Sequence, residues 1–168
     1  MSSVKKKICM VGDFAVGKTS LTQQYVNQIF SEQYLTTIGV KIDTKIVELQ
    51  EGQECKVVVW DVAGRDSLTP LQTSYLMGAS AFMLVVDATR RDSIDSVKFL
   101  IDSAKKKIPD APFIILLNKF DLIEQLVFDE KDSALFEKNK WQFLVTSAKT
   151  GENVEKAFSD LLELTMSS

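Results

Sequence analysis

The sequence predicts a doubly wound α/β domain built on a six-stranded, mostly parallel sheet with helices on both faces. Three observations lead there. Strand-like and helix-like patterns alternate from end to end; the runs Ala81–Val86 and Pro112–Leu117 are unbroken apolar segments, as central strands covered on both sides require; and polar or glycine-bearing segments directly follow strands, where such sheets bind ligands.

In chain order, Ile8–Val11 is a short apolar strand ending at glycine, and Lys18–Ile29 follows with Leu21, Tyr25 and Ile29 at helical spacing. Val40, Ile42, Thr44 and Ile46 alternate with Lys41, Asp43 and Lys45, a strand with one wet face. That alternation slips at Val47 and Leu49, and Glu51-Gly52 turns the chain into a second strand at Lys56–Trp60. Between the two unbroken runs, Ile94, Val97, Ile101, Ala104 and Ile108 form one helical stripe closed by Pro109. Phe143–Val145 is a last short strand, and Val154, Ala157, Phe158, Leu161 and Leu162 mark an amphipathic closing helix. No repeat or linker divides the 168 residues, so they read as a single domain.

Composition narrows the chemistry. The chain has no histidine, which excludes an imidazole base, a Ser-His or Cys-His pair and an imidazole-bound metal. A bound metal is then expected on oxygen ligands, with Mg²⁺ or Ca²⁺ first. The net charge of −3 argues against a nucleic-acid surface. Cys9 and Cys55 sit in apolar segments and read as buried thiols. No apolar run is long enough for a membrane span, Met1-Ser2 is no myristoylation start, and Leu164–Ser168 carries no cysteine for prenylation. The expectation is a cytoplasmic monomer without a membrane anchor of its own, any membrane association coming through partners.

Gly12-Asp13-Phe14-Ala15-Val16-Gly17-Lys18-Thr19 matches G-x-x-x-x-G-K-[ST], a pattern expected by chance in roughly one chain of this length in a few hundred. It also lies between a strand and a helix, as its mechanism requires. Backbone N–H groups of Asp13 to Ser20 and the helix N-terminus cradle phosphate oxygens, Lys18 supplies a point charge, and the Thr19 hydroxyl is a ligand for Mg²⁺. A plain glycine turn is the alternative, and the strand–loop–helix context leaves it little room. Asn118-Lys119-Phe120-Asp121 ends one strand and Ser147-Ala148-Lys149 another. A lone N-K-x-D arises in roughly one chain in fifty, so its weight comes from order and context.

With these motifs in order, together with Thr37-Ile38-Gly39 and Asp61-Val62-Ala63-Gly64, the chain resembles the Ras superfamily of small GTPases over nearly its whole length. The resemblance implies a P-loop G domain over residues 1–168 that binds GTP and GDP with Mg²⁺ and acts as a molecular switch. It implies that Asp121 accepts the N1 and N2 protons of guanine, that Asn118 tethers the loops, and that the Ala148 N–H meets the guanine oxygen. Lys119 and Phe30 would cover the two faces of the ring, with Ser147 and Lys149 completing that loop. Thr37 would complete the Mg²⁺ shell with Thr19, Asp61 would hold the metal through water, Tyr34 would close over the phosphates, and the Gly64 N–H would contact the γ-phosphate. It further implies a nucleotide exchange factor, a GTPase-activating protein and effectors as partners. Ile38-Gly39-Val40, Trp60 before Asp61, and Tyr75–Ala79 are most similar to the Rab branch, in which Ile42, Trp60 and Tyr75 fall on an apolar effector patch. Ala15 with Thr19 is more Rho-like.

Two positions depart from the family pattern, both around the γ-phosphate. Arg65 stands where glutamine usually orients the attacking water, and Asp66 where glutamate is usual. Arginine only donates hydrogen bonds and cannot accept a water proton. Phe14 stands where a small residue leaves room beside the phosphate. The expectation is slow hydrolysis that depends on a partner, or on Arg65 neutralising charge in cis. The alternative is a nucleotide-gated binding module that scarcely hydrolyses and is reset by exchange. A small-molecule kinase would need an acceptor lid and clustered arginines, whereas this chain has only Arg65, Arg90 and Arg91 and no lid-sized insertion.

Overall fold

The computed structural model describes residues 3–31, 39–63 and 70–167. It holds a six-stranded sheet in the order β2-β3-β1-β4-β5-β6. The strands are β1 (Val4–Val11), β2 (Val40–Glu48), β3 (Glu54–Val62), β4 (Ala81–Asp87), β5 (Phe113–Asn118) and β6 (Phe143–Val145). β2 runs antiparallel to β3 and every other pairing is parallel, the expected mostly parallel sheet. The helices are α1 (Lys18–Asn27), α2 (Pro70–Ser74), α3 (Arg91–Asp95), α4 (Val97–Lys105), α5 (Glu130–Lys138) and α6 (Val154–Met166).

The unbroken apolar runs are explained by two cores, one on each face of the sheet. Because successive strand side chains point to opposite faces, Ala81, Met83 and Val85 of β4 pack with α1 and α6. Phe82, Leu84 and Val86 pack with α3, α4 and α5. β5 divides in the same way, Ile114 and Leu116 on one side, Ile115 and Leu117 on the other. On the first face the Tyr25 and Phe158 rings stack 3.7 Å apart and nearly parallel, joining α1 to α6.

Two details differ from the sequence reading, and the structure settles a third, which face of β2 is wet. α1 ends at Asn27, because Gln28 turns left-handed and returns its N–H to the Gln24 carbonyl; Ile29 therefore lies outside the helix and is exposed. The stripe from Ile94 to Ile108 is buried as expected, but Ser96 divides it into α3 and α4, its hydroxyl donating to the Ser93 carbonyl. On β2 the exposed face carries Ile42, Thr44 and Ile46, while the face with Asp43, Lys45 and Val47 is half-buried. The slip at Val47 and Leu49 signals this: both pack onto the first core. Lys45 joins them by laying its amine over the Tyr25 ring and bonding the Tyr25 carbonyl and Glu155. The sequence reading also passed over α5, although Asp129 and Asp132 form a capping box at its start.

The parallel pairing places β1, β3, β4, β5 and β6 with their carboxyl ends at one edge of the sheet, so the segments following Val11, Asp87, Asn118 and Val145 meet there, next to Asp61 near the end of β3. Among the described residues no helix is long and apolar enough to cross a membrane.

Phe158→Ala removes the ring that ties α6 to α1 and opens a cavity in the first core. The expected loss is about 3–5 kcal/mol of unfolding free energy, read from urea denaturation at fixed nucleotide concentration.

Candidate functional site

The first loop of the site is the turn from Val11 into α1. Gly17 has a φ of 103°, and a Cβ there would run into the Asn118 side-chain amide. A Cβ on Gly12 would strike the Val85 carbonyl oxygen. Both glycines are thus dictated by neighbouring strands, which approach too closely for any side chain. Ala15 is also left-handed, at φ 66°. The loop carries Phe14 at its tip, 51% exposed, while Val16 beneath it is fully buried.

Lys18 opens α1 and is buried. Its ammonium turns back to donate to the Gly12 carbonyl at 2.9 Å and the Asp13 carbonyl at 2.8 Å. Burial pushes its pKa down to about 8, while the Asp61 and Asp13 carboxylates act in the opposite direction. The Thr19 hydroxyl donates to the Asp61 Oδ2 at 2.6 Å, joining the start of α1 to the fully buried end of β3. Ser20 is half-buried in the same helical turn.

The second loop system follows β5 and β6. Asn118 is buried and donates from Nδ2 to the Val16 carbonyl at 2.9 Å, while the Thr146 hydroxyl donates to its Oδ1 at 3.3 Å. Lys119, left-handed at φ 64°, donates to the Ala15 carbonyl at 2.8 Å. The Ser147 hydroxyl donates to Asp121 Oδ1 at 2.8 Å and accepts from the Thr150 N–H. Ala148 is buried beside it and Lys149 is exposed in the turn beyond. Motifs separated by about a hundred residues in sequence are therefore joined by direct hydrogen bonds.

One participant escaped the sequence reading. Asp87 ends β4 with its carboxylate buried; Oδ2 pairs with Lys119 at 3.0 Å, and Oδ1 accepts the Thr89 N–H and hydroxyl. The Arg90 Nε stands 3.8 Å from Oδ2. Asp87 and the Ala15 carbonyl thus hold the Lys119 ammonium together. Its signal was available, since a carboxylate closing an otherwise apolar strand next to Thr89-Arg90 needs partners.

Phe30 lies three residues past α1 and is 39% exposed. Tyr34, Thr37, Gly64, Arg65 and Asp66 lie outside the described residues. Away from the loops, Ile42 pairs with Trp60 across β2 and β3, and the Trp60 and Tyr75 rings stand 6.2 Å apart. The Lys7 ammonium sits 3.7 Å over the Trp60 ring and donates to the Met77 carbonyl.

The site can do three things chemically. Its first loop presents a lysine at a helix start, suited to phosphate. Thr19 and Asp61 bring two oxygen donors together, a hard donor set that fits Mg²⁺, which takes one or two protein ligands and completes its shell with water and phosphate. Asp121 and the Ser147–Lys149 turn form a polar ledge beside it.

Comparison with known proteins agrees with this arrangement. The sequence profile of the Ras family matches residues 7–167. The chain is similar to the Ras-related protein Rab-7b of Paramecium octaurelia, 36% identical over 96% of this chain and 82% of that protein. It is equally similar to the Ypt/Rab-type GTPase YPT7 of Saccharomyces cerevisiae, 36% identical over 96% of this chain and 83% of that protein. With an N-K-x-D loop bonded to a P-loop at one edge of this sheet, and a family match spanning nearly every residue, the chain belongs to the Ras family and is a Rab-like small GTPase.

Proposed function

We propose that this single G domain, residues 1–168, is a GTP/GDP switch with slow, Mg²⁺-dependent hydrolysis, acting in trafficking or signalling. The observation that carries the reading is the bonding of Asn118 and Lys119 onto the Val16 and Ala15 carbonyls, which fixes a base ledge against a phosphate loop. Family membership makes the kinase alternative unnecessary.

In this reading Asp121 accepts the two N–H donors on guanine's N1 and N2. Adenine presents an acceptor and no amine there, and a site with such an unpaired charge can discriminate by ~10⁴ or more. The Ser147 hydroxyl holds Asp121 in place, the Ala148 N–H faces the guanine oxygen, and the Lys119 stem and Phe30 cover the ring. Lys18 exchanges its Gly12 and Asp13 carbonyl partners for the β- and γ-phosphates, with Asp13 to Ser20 supplying N–H donors. Thr19 and Thr37 would hold Mg²⁺, with Asp61 holding it through a water, and the ion would neutralise phosphate charge. Thr37, Tyr34 and the Gly64 N–H sense the γ-phosphate, so its loss releases the segments that carry them.

Hydrolysis is slow in this account because Arg65 replaces the water-orienting glutamine and Phe14 stands beside the γ-phosphate. The exposure of Phe14 in the phosphate loop favours one second reading, a GTP-gated binding module reset by exchange, since an aromatic ring at this position would crowd an incoming water or arginine. Exchange factor, activating protein and effectors are the expected partners, with Ile42, Trp60 and Tyr75 as effector patch. Trafficking suits a cytoplasmic protein that works as a monomer and meets membranes through those partners.

A single-turnover assay tests the central part. Purified protein loaded with GTP should release phosphate measurably but slowly, and Arg65→Gln should raise the rate by about tenfold. A fall instead would make Arg65 a charge-neutralising group acting in cis, and no release before GTP dissociates would select the binding-module reading.

Asp87→Asn removes the charge that steadies Lys119. Charged hydrogen bonds contribute about 1.5–3 kcal/mol, so the dissociation rate of a fluorescent GDP should rise by about tenfold. In a Lys119→Met background the same substitution should change it little, because Asp87 acts through Lys119.

A further inference from the structure

A second concavity lies at the hairpin end of β2, away from the nucleotide loops. It is a cavity of about 680 Å³ between the β2–β3 hairpin and α6, its apolar lining including Val47, Leu49, Leu162 and Tyr25. Met166, 47% exposed, stands on its wall.

The charge around it is one-sided. Four of its lining residues are glutamates, Glu48, Glu51, Glu155 and Glu163, and none is a lysine or arginine. The nearby Lys45 ammonium is already committed to Glu155 at 2.7 Å and the Tyr25 carbonyl at 2.9 Å. Glu48, Glu51 and Glu163 are exposed and pair with no cation among the described residues. A further observation concerns the hairpin itself. Glu48 stands directly across from Glu54 as the last cross-strand pair, with Glu51 at the turn. Like charges opposite each other in a ladder are destabilising, and an approaching cation relieves this clustering.

We propose that this groove docks a cationic amphipathic segment of a partner protein, an apolar side chain entering the cavity and flanking lysines or arginines meeting Glu48, Glu51 and Glu163. Charge complementarity selects this occupant, since an anionic lipid surface or a nucleic acid is repelled by the same glutamates. None of the nucleotide-loop residues, and none of Ile42, Trp60 and Tyr75, lines the groove. A partner seated here leaves those three residues open.

The test uses the whole chain loaded with GDP and a fluorescent amphipathic peptide of leucine and lysine as probe. Binding is measured by anisotropy and mapped by backbone amide chemical shifts. Two charge-matched triple variants are compared, each moving the net charge from −3 to +3. One is Glu48→Lys with Glu51→Lys and Glu163→Lys; the other is Asp110→Lys with Glu124→Lys and Glu137→Lys, at exposed positions elsewhere. The groove variant should bind the peptide about tenfold more weakly or worse, the distant one within about threefold of the parent. Shifts should centre on Val47–Gln53 and α6. Glu48→Gln with Glu51→Gln and Glu163→Gln repeats the comparison without introducing new cations, and retention of fluorescent GDP confirms that each variant is folded. Equal weakening by both lysine variants, shifts centred elsewhere, or no binding by the parent chain would overturn the proposal.

Discussion

The buried Asn118 amide is the interaction on which the site depends. Its Nδ2 reaches the Val16 carbonyl, and its Oδ1 is held by the Thr146 hydroxyl, so one side chain ties the ends of β5 and β6 to the loop that follows β1. Such a bond in a water-excluded setting is costly to leave unmade, because the freed groups have no solvent to turn to. Lys119 repeats the link one residue on, and Asp87 holds it from the β4 side. The site is therefore assembled by strands that are neighbours in space and far apart in sequence. The parallel topology is what brings them to one edge.

The same constraint explains the glycines and the lysine. Gly17 has no room for a Cβ because Asn118 occupies that space. Lys18 is buried against two carbonyls, and its lowered pKa reflects that burial. A buried ammonium at a helix start, held only on backbone carbonyls, is an arrangement that phosphate satisfies better than those carbonyls do.

Much of this was legible in the sequence because it is local. The phosphate loop, the N-K-x-D segment and the apolar runs carry their meaning in spacing, and each falls where the fold places it. The parts that were not legible depend on partners distant along the chain. Which face of β2 is wet was decided by Tyr25 and Glu155 drawing Lys45 inward, and by Val47 and Leu49 packing on α1 and α6. Asp87 was missed since its importance lies in Lys119, 32 positions later, which no periodicity reveals. The break at Ser96, whose hydroxyl turns back to the Ser93 carbonyl, leaves the apolar stripe untouched.

The measurement that tests the central claim most directly is identification of the nucleotide carried by the purified protein, released by denaturation and read by mass spectrometry. The account predicts GDP or GTP at close to one per chain, retained in Mg²⁺ and lost on chelation. Adenine nucleotide in its place, or a chain that neither carries nor takes up guanine nucleotide, would contradict it.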